Sequence, residues 1–321
     1  MKPRLLITGA NGQIGWRLRG TLASLGDVTA LTREQLDLGD LDAVTRTLHE
    51  LDPDVVVNAG AYTAVDKAES EPDLALTVNA LAPGRMAEEL ARTGGLLFHY
   101  STDYIFDGSK LSPYVETDSP APLNVYGLTK LKGERLISAS GCDHLILRTT
   151  WVYDTRGKNF LRTVLRLARE REELRIVGDQ VGAPTWASAI AEATAVIVAG
   201  SLSQREKKSK PVRDVYHLTA SGQTSWAGFA KAIIEDYRTE YHAEQEDVEG
   251  VMRFYSREDT EFSQPLRAQL VTPISTEEYP TPARRPRYSV LSNAKVQTAF
   301  GVRMSDWREQ LRLALSTAIR R

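Results

Sequence analysis

The 321 residues are 42% hydrophobic and 26% charged with a mean hydropathy of −0.31, which excludes a disordered chain and a small scaffold that depends on staples. Forty Lys and Arg against 42 Asp and Glu leave a formal charge of −2, so no overall field draws the chain to nucleic acid or membrane, and neither is expected as a partner. The single cysteine, Cys142, excludes an intrachain disulfide and a cysteine zinc site; no metal is expected, and with no apolar run long enough for a signal core or a membrane span a cytoplasmic protein is predicted.

Along the first half, short apolar runs alternate with helical patterns: Leu5 to Thr8, Val28 to Leu31, Val55 to Val57, Leu96 to Tyr100 and Leu145 to Thr149. They are apolar throughout rather than alternating, which predicts parallel strands covered on both faces and joined by helical crossovers. An α/β fold with a doubly wound parallel sheet, a Rossmann architecture, follows. It is expected to occupy residues 1–155, with segments near 186–220 returning to it. Past residue 155 the pattern is less regular, with a charged helix from Leu161 to Glu173 and an acidic, proline-punctuated tract from Glu240 to Pro286. The basic cluster Arg205, Lys207, Lys208 and Lys210 reads as a solvated loop.

Immediately after the first strand, TGANGQIGWRL places Gly9, Gly12 and Gly15 at three-residue intervals and leads into a helix with apolar Ile14, Leu18 and Leu22. The turn needs a residue free to take positive φ, the backbone must approach a pyrophosphate, and the last glycine lets helix pack on strand. A pyrophosphate would then meet the amides and positive dipole end of a helix N-terminus, so a dinucleotide site is predicted. The second strand ends in Leu31, Thr32 and Arg33 rather than in the acidic residue usual for NAD. Thr32 can hydrogen-bond a 2′-phosphate and Arg33 can pair with it, which favours NADPH. With Glu34 beside Arg33 as an ordinary surface partner, use of NADH as well stays open.

The fourth strand ends in STDYIFDG (101–108), and a helix beginning near Asn124 carries Tyr126 and Lys130 on one face. A tyrosine is a reluctant proton carrier, and a lysine cation nearby favours its phenolate. Thr102, at the carboxyl end of a strand, can orient a carbonyl oxygen toward Tyr126. Tyr126, Lys130 and Thr102 are therefore the catalytic candidates, with Lys130 also able to hold a nicotinamide ribose.

These motifs, with DVVVNAGAYTAVDKAESEP (54–72), PLNVYGLTKLKGE (122–134), RTTWVY (148–153), GDQVGAPT (178–185) and YPTPARRPRYSVL (279–291), make the chain resemble the extended short-chain dehydrogenase/reductase family over nearly its full length. The resemblance implies a smaller C-terminal α/β domain, mainly 156–321, that binds a sugar nucleotide, with residues 246–274 reading as an insertion. It implies NADPH-dependent reduction of the C4 ketone of dTDP-4-dehydro-L-rhamnose to dTDP-L-rhamnose, a step that feeds cell-surface polysaccharide. A reductase or epimerase of another nucleotide sugar, and a non-catalytic NADP-binding regulatory subunit, are the alternatives. Retention of Thr102, Tyr126 and Lys130 together argues for the enzyme.

By the same resemblance Gly12, Gln13 and Ile14 line the pyrophosphate, Asp37 and Leu38 lie near the adenine, and Ala61, Tyr62 and Thr63 form the cofactor side of the third strand's end. Thr102 and Asp103 meet the sugar and Trp151 bounds its pocket. In the second half, Lys158 and Asn159 at a helix start and Arg284, Arg285 and Arg287 beside Pro286 suit a diphosphate. Composition alone reads those arginines as solvated, and the resemblance singles out Arg285. Arg17 stands after Trp16 where some relatives carry an acidic residue, which argues against a carboxylate-built metal contact in a homodimer, itself left open.

Overall fold

The computed structural model describes residues 2–206, 211–248, 262 and 264–319. It divides into two compact units, one of Met1–Thr150, Ala187–Thr219 and Thr281–Met304, the other of Trp151–Trp186, Ala220–Pro280 and Ser305–Arg321. Besides the region 187–219, residues 281–304 thus lie in the first unit, a second return that no local signal in the sequence announces.

The first unit is built on β1 (Arg4–Thr8), β2 (Asp27–Leu31), β3 (Val55–Asn58), β4 (Leu96–Thr102), β5 (Asp143–Thr149) and the late strand Arg213–His217. All six pair in parallel, in the spatial order Arg213–His217, β5, β4, β3, β1, β2. Six parallel neighbours demand covered faces, and the apolar runs supply them: Leu5, Ile7, Val55, Val57, Leu96, Phe98, Leu145 and Leu147 are no more than 1% exposed. On one face Leu6, Val56, Leu97 and Ile146 pack with Val44 and Leu48 of α2 (Leu41–Leu51) and with Met86 and Leu90 of α5 (Ala82–Thr93). The chain runs from β1 to β2 on one side and then reaches β3 on the other, so β1 and β3 flank the point where the winding reverses. Ligands of open α/β sheets bind outside the carboxyl ends at such a point. Register aligns those ends: Thr8 lies opposite Asn58, Asn58 opposite His99, and Thr102 opposite Thr149.

The second unit is assembled from two-strand pieces and three long helices. Glu173–Val177 pairs in parallel with Leu270–Ile274, Val181–Gly182 antiparallel with Thr224–Ser225, and Val152–Tyr153 in parallel with Thr185–Trp186. Helices Phe160–Glu170, Trp226–Val248 and Trp307–Ile319 surround an aromatic core in which the Phe229 ring meets Tyr153, Phe160 and Trp307. The proposed insertion at 246–274 falls partly outside the described residues, namely at 249–261 and 263, and its described end forms the strand Leu270–Ile274. Lys207, Lys208 and Lys210 of the basic cluster also lie outside them. No described helix is long and apolar enough to cross a membrane.

Candidate active site

The loop after β1 has the geometry that its glycines demand. Gly9 sits at φ 67°, and a Cβ there would stand 2.6 Å from the nitrogen of Gly60 in the loop after β3. A Cβ on Gly15 would come within 2.2 Å of the Gly9 carbonyl oxygen. The helix Gln13–Thr21 (α1) starts at Gly12 with no side-chain cap and no acidic residue in its first turn, so its terminal amides and positive dipole end face no side-chain anion of that turn. This narrow cradle fits a pyrophosphate: Gly9, Gly12 and Gly15 give the approach, and Gln13 and Ile14 open the helix.

At the end of β2 the Arg33 guanidinium is 74% exposed and stands 3.7 Å from the Asp37 carboxylate, which also accepts a 2.9 Å bond from the Gly39 amide. The Thr32 amide donates to Gln35 at 3.0 Å, and the Thr32 hydroxyl with Arg33 lowers the exposed Glu34 carboxyl. Leu38 is buried, with its methyl against Gly60. Beyond β3 the segment Ala61, Tyr62 and Thr63 is pinned by one residue that the sequence reading missed. Asn79 accepts from the Tyr62 amide at 2.9 Å and donates to the Tyr62 carbonyl at 3.1 Å and to the Thr129 hydroxyl at 3.2 Å. It sits in a wide π-turn, Thr77–Leu81, between α4 (Pro72–Leu76) and α5, and such turns often mark functional sites. The Tyr62 phenol donates to Glu71 at 2.6 Å.

The helix Val125–Ala139 (α6) is capped by Asn124, whose side chain accepts from the Gly127 amide at 2.8 Å and donates to the Arg284 carbonyl at 2.7 Å. The cap fixes where the first turn begins and so places Tyr126 against the end of β4. Tyr126 meets the Tyr104 ring edge to face, 5.9 Å between centroids. Burial pushes its phenol up to about 12, with the Thr102 hydroxyl pulling down and the Asp103 charge pushing up. Thr102 itself accepts from the Tyr104 amide and donates to Asp103, both at 3.1 Å. Asp103 also accepts from Thr150 at 2.8 Å, and burial lifts it to about 6 against the pull of Ser289, Thr150 and Thr102. The sequence did not single out Thr150 or Ser289.

Lys130 is buried against β4. Its Nζ donates to the Tyr100 carbonyl at 2.5 Å and stands 3.2 Å from His99 Nε2. Burial outweighs the help of Glu134 and lowers the amine to about 8. Desolvation dominates both groups, raising the Tyr126 phenol and lowering the Lys130 amine.

The remaining candidates are placed as follows. The Arg285 guanidinium is engaged by Asp66 through bonds of 3.0 and 2.7 Å, which lower the Asp66 carboxyl. In the second unit, Asn159 is the cap of helix Phe160–Glu170, accepting from the Arg162 amide at 3.2 Å and donating to the Asp154 carbonyl at 2.7 Å. Trp151 takes a left-handed φ of 46°, unusual for a bulky residue, and stacks on Trp226 with centroids 3.5 Å apart. Among the described residues no group of three or more His, Cys, Asp or Glu could hold a metal ion.

The sequence matches the family described as "RmlD substrate binding domain" over residues 2–319. It is 49% identical to a dTDP-4-dehydrorhamnose reductase of Burkholderia thailandensis over 95% of both chains, and 41% identical to one of Escherichia coli K12 over 95% of this chain and 94% of that one. A crystal structure of dTDP-4-dehydrorhamnose reductase from Bacillus anthracis in complex with NADP superposes with a TM-score of 0.81 at 31% identity, covering 98% of this chain and 99% of the other.

Proposed function

The chain belongs to the RmlD substrate binding domain family, and from that membership and the geometry of its site we propose that it is an NADPH-dependent dTDP-4-dehydrorhamnose reductase. It reduces the C4 ketone of dTDP-4-dehydro-L-rhamnose to the C4 alcohol of dTDP-L-rhamnose. The observation that carries the reading is the buried junction at the end of β4, where the Thr102 hydroxyl is held between the Tyr104 amide and Asp103 and the Tyr126 ring packs edge to face on Tyr104, in the same unit as a cradle fit for a pyrophosphate.

In this reading Gly9, Gly12, Gly15, Gln13 and Ile14 hold the cofactor's pyrophosphate, and Thr32, Arg33, Asp37 and Leu38 surround its adenosine end. Ala61, Tyr62 and Thr63, anchored by Asn79, line its path toward Tyr126 and Lys130. The reduced nicotinamide, when bound, supplies the hydride. Thr102 donates to the ketone oxygen and holds it toward Tyr126, whose phenolic proton passes to that oxygen as negative charge develops there. A phenol held near 12 is fully loaded at neutral pH, the state a reductase needs from its acid. Asp103 takes a sugar hydroxyl. Arg285 meets the diphosphate as a pair with Asp66, so it adds direction rather than net charge.

The test follows NADPH absorbance with dTDP-4-dehydrorhamnose supplied by enzymes that make it. Oxidised cofactor should accumulate mole for mole with dTDP-rhamnose. An isomer of the ketosugar formed without net cofactor oxidation would mark an epimerase, and NADP(H) binding without turnover a regulatory subunit.

A further inference from the structure

Beneath the site lies a row of buried polar side chains that the reaction above does not use: Thr8 at the end of β1, Asn58 at the end of β3, and His99 in β4, each no more than 1% exposed. The Thr8 hydroxyl donates to Asn58 Oδ1 at 2.6 Å, Asn58 Nδ2 stands 3.0 Å from His99 Nδ1, and His99 Nε2 stands 3.2 Å from Lys130 Nζ. Every buried donor and acceptor in such a row must be satisfied, and that requirement assigns its protons.

The assignment starts from a backbone amide, which has no choice. Gly60 N–H donates to Asn58 Oδ1 at 3.2 Å and shares its proton with Thr8 Oγ1 at 3.4 Å. Turning the Asn58 amide over would set its NH₂ against that N–H, so Oδ1 stays where it is and Nδ2 must donate to His99. His99 Nδ1 is then an acceptor without a proton. A neutral imidazole with a bare Nδ1 carries its proton on Nε2, and that N–H points at Lys130. An ammonium there would oppose donor to donor. An amine accepts the Nε2 proton with its lone pair, gives one hydrogen to the Tyr100 carbonyl, and keeps one for the site above.

We propose that Asn58 fixes His99 as its Nε2–H tautomer and that this N–H, aimed at Lys130, favours the lysine's amine over its ammonium in the cofactor-free protein, which makes Asn58 and His99 positioning residues of the active site. The direction of the Lys130 shift agrees, and burial keeps His99 neutral. Among the described residues the further titratable group that acts on Lys130 is Glu134 on its own helix. Glu134 favours the ammonium, but its carboxylate is already bound by Arg148 of β5 through bonds of 3.0 and 2.7 Å. The consequence for the reaction is that Lys130 gives up its proton, and with it the charge that could draw on the Tyr126 phenol, more readily than an ordinary lysine. This consequence rests on the reductase reading; the protonation pattern does not.

Nitrogen-15 NMR of histidine-labelled protein tests the first half, with the His99 signal assigned by its loss in His99→Asn. Nδ1 should be bare and Nε2 protonated throughout, from about pH 6 to about pH 9. An Nδ1–H tautomer or an imidazolium would overturn the proposal. Carbon-13 NMR of labelled lysine tests the second half: Lys130, assigned with Lys130→Met, should titrate below every other lysine of the chain. In Asn58→Asp the new carboxylate takes the proton of Nδ1, leaving bare Nε2 to accept from an ammonium. The Lys130 midpoint should then rise by about one pH unit or more, and the limb of the kcat/KM profile that follows Lys130 should move with it. A flipped tautomer with an unmoved Lys130 midpoint would overturn the link. The NMR readings need no turnover, so they stand whether or not the chain reduces this sugar.

Discussion

The two units solve the same problem of burial with opposite means. In the first, a six-stranded parallel sheet buries long aliphatic runs and then tolerates polar residues toward its carboxyl edge, where Thr8, Asn58 and His99 are joined to one another and to Lys130 of α6, and Thr102 bonds Asp103. In the second, three pairs of short strands cannot wall off a core by themselves, and large rings fill the space instead: Tyr153, Phe160, Phe229 and Trp307 in contact, with Trp151 stacked on Trp226. Buried polar rows fix protonation and direction at a cost in stability, whereas aromatic packing stabilises through area and shape. The difference predicts that damage to the rings shows in stability and damage to the polar row shows in chemistry.

The largest expected effect breaks the aromatic side. Phe229 is fully buried against three rings, so Phe229→Ala should lower the unfolding free energy by about 3 to 5 kcal/mol. NADPH affinity, measured by titration at low temperature, should stay within about twofold. Equal loss of cofactor affinity would erase the contrast between the units. Next comes Tyr126→Phe, which keeps the ring beside Tyr104 and removes only the phenolic proton. Here kcat should fall by about 10² or more, roughly 2.7 kcal/mol, with cofactor affinity and thermal stability nearly unchanged. Near-normal turnover would take Tyr126 out of its role.

The same contrast explains what could be read in advance. The strands of the first sheet declare themselves because each run is apolar from end to end and followed by its own turn chemistry, as TGANGQ and STDYIF show. Thr102, Tyr126 and Lys130 were legible because they lie on one strand end and one helix face. What supports them was not, for it comes from elsewhere in the chain: Asn79 reaches Tyr62 from a π-turn, and Asp66 finds Arg285 across 219 residues. A signal did exist for His99 and Asn58, since a polar residue inside a run such as LLFHYST must find a buried partner. In the second unit Glu173–Val177 pairs with Leu270–Ile274, a non-local match that periodicity along the chain cannot reveal. The acidic tract between them masks it further.

Smaller in size, and opposite in sign, is the effect expected at Asp103. Its folded carboxyl titrates at about 6, above the reference value of 3.8. Between those values the folded chain binds a proton that the unfolded chain has lost, so stability falls as pH rises through that window and the full cost is present at neutral pH. Asp103→Asn removes the charge while keeping a hydrogen-bonding group among Thr102 and Thr150. The variant should be more stable by about 2 kcal/mol near pH 7, and the gain should vanish near pH 4, while kcat/KM falls. Urea unfolding at both pH values decides it. A gain of the same size at both would mean that packing, not ionisation, had changed.

The smallest effect lies at the exposed edge of the first unit, where neither means of burial operates and a charged group must act through solvent. Arg33 is tied by a 3.7 Å approach to Asp37, an exposed i,i+4 pair worth well under about 1 kcal/mol, and its charge also acts on the neighbouring Glu34. Asp37 in turn is held by the Gly39 amide, so the arginine, not the carboxylate, is the partner free to turn. A 2′-phosphate offers it a doubly charged, multidentate alternative that a ribose hydroxyl does not. Arg33→Ala should therefore lower the ratio of kcat/KM for NADPH over NADH by about tenfold, roughly 1.4 kcal/mol, almost wholly through NADPH. Because the contact is solvent-exposed, raising the ionic strength should shrink the wild-type ratio and leave that of the variant nearly flat. A ratio that does not move at low salt would leave Arg33 as a surface partner of Asp37 and shift recognition of the phosphate to Thr32 alone.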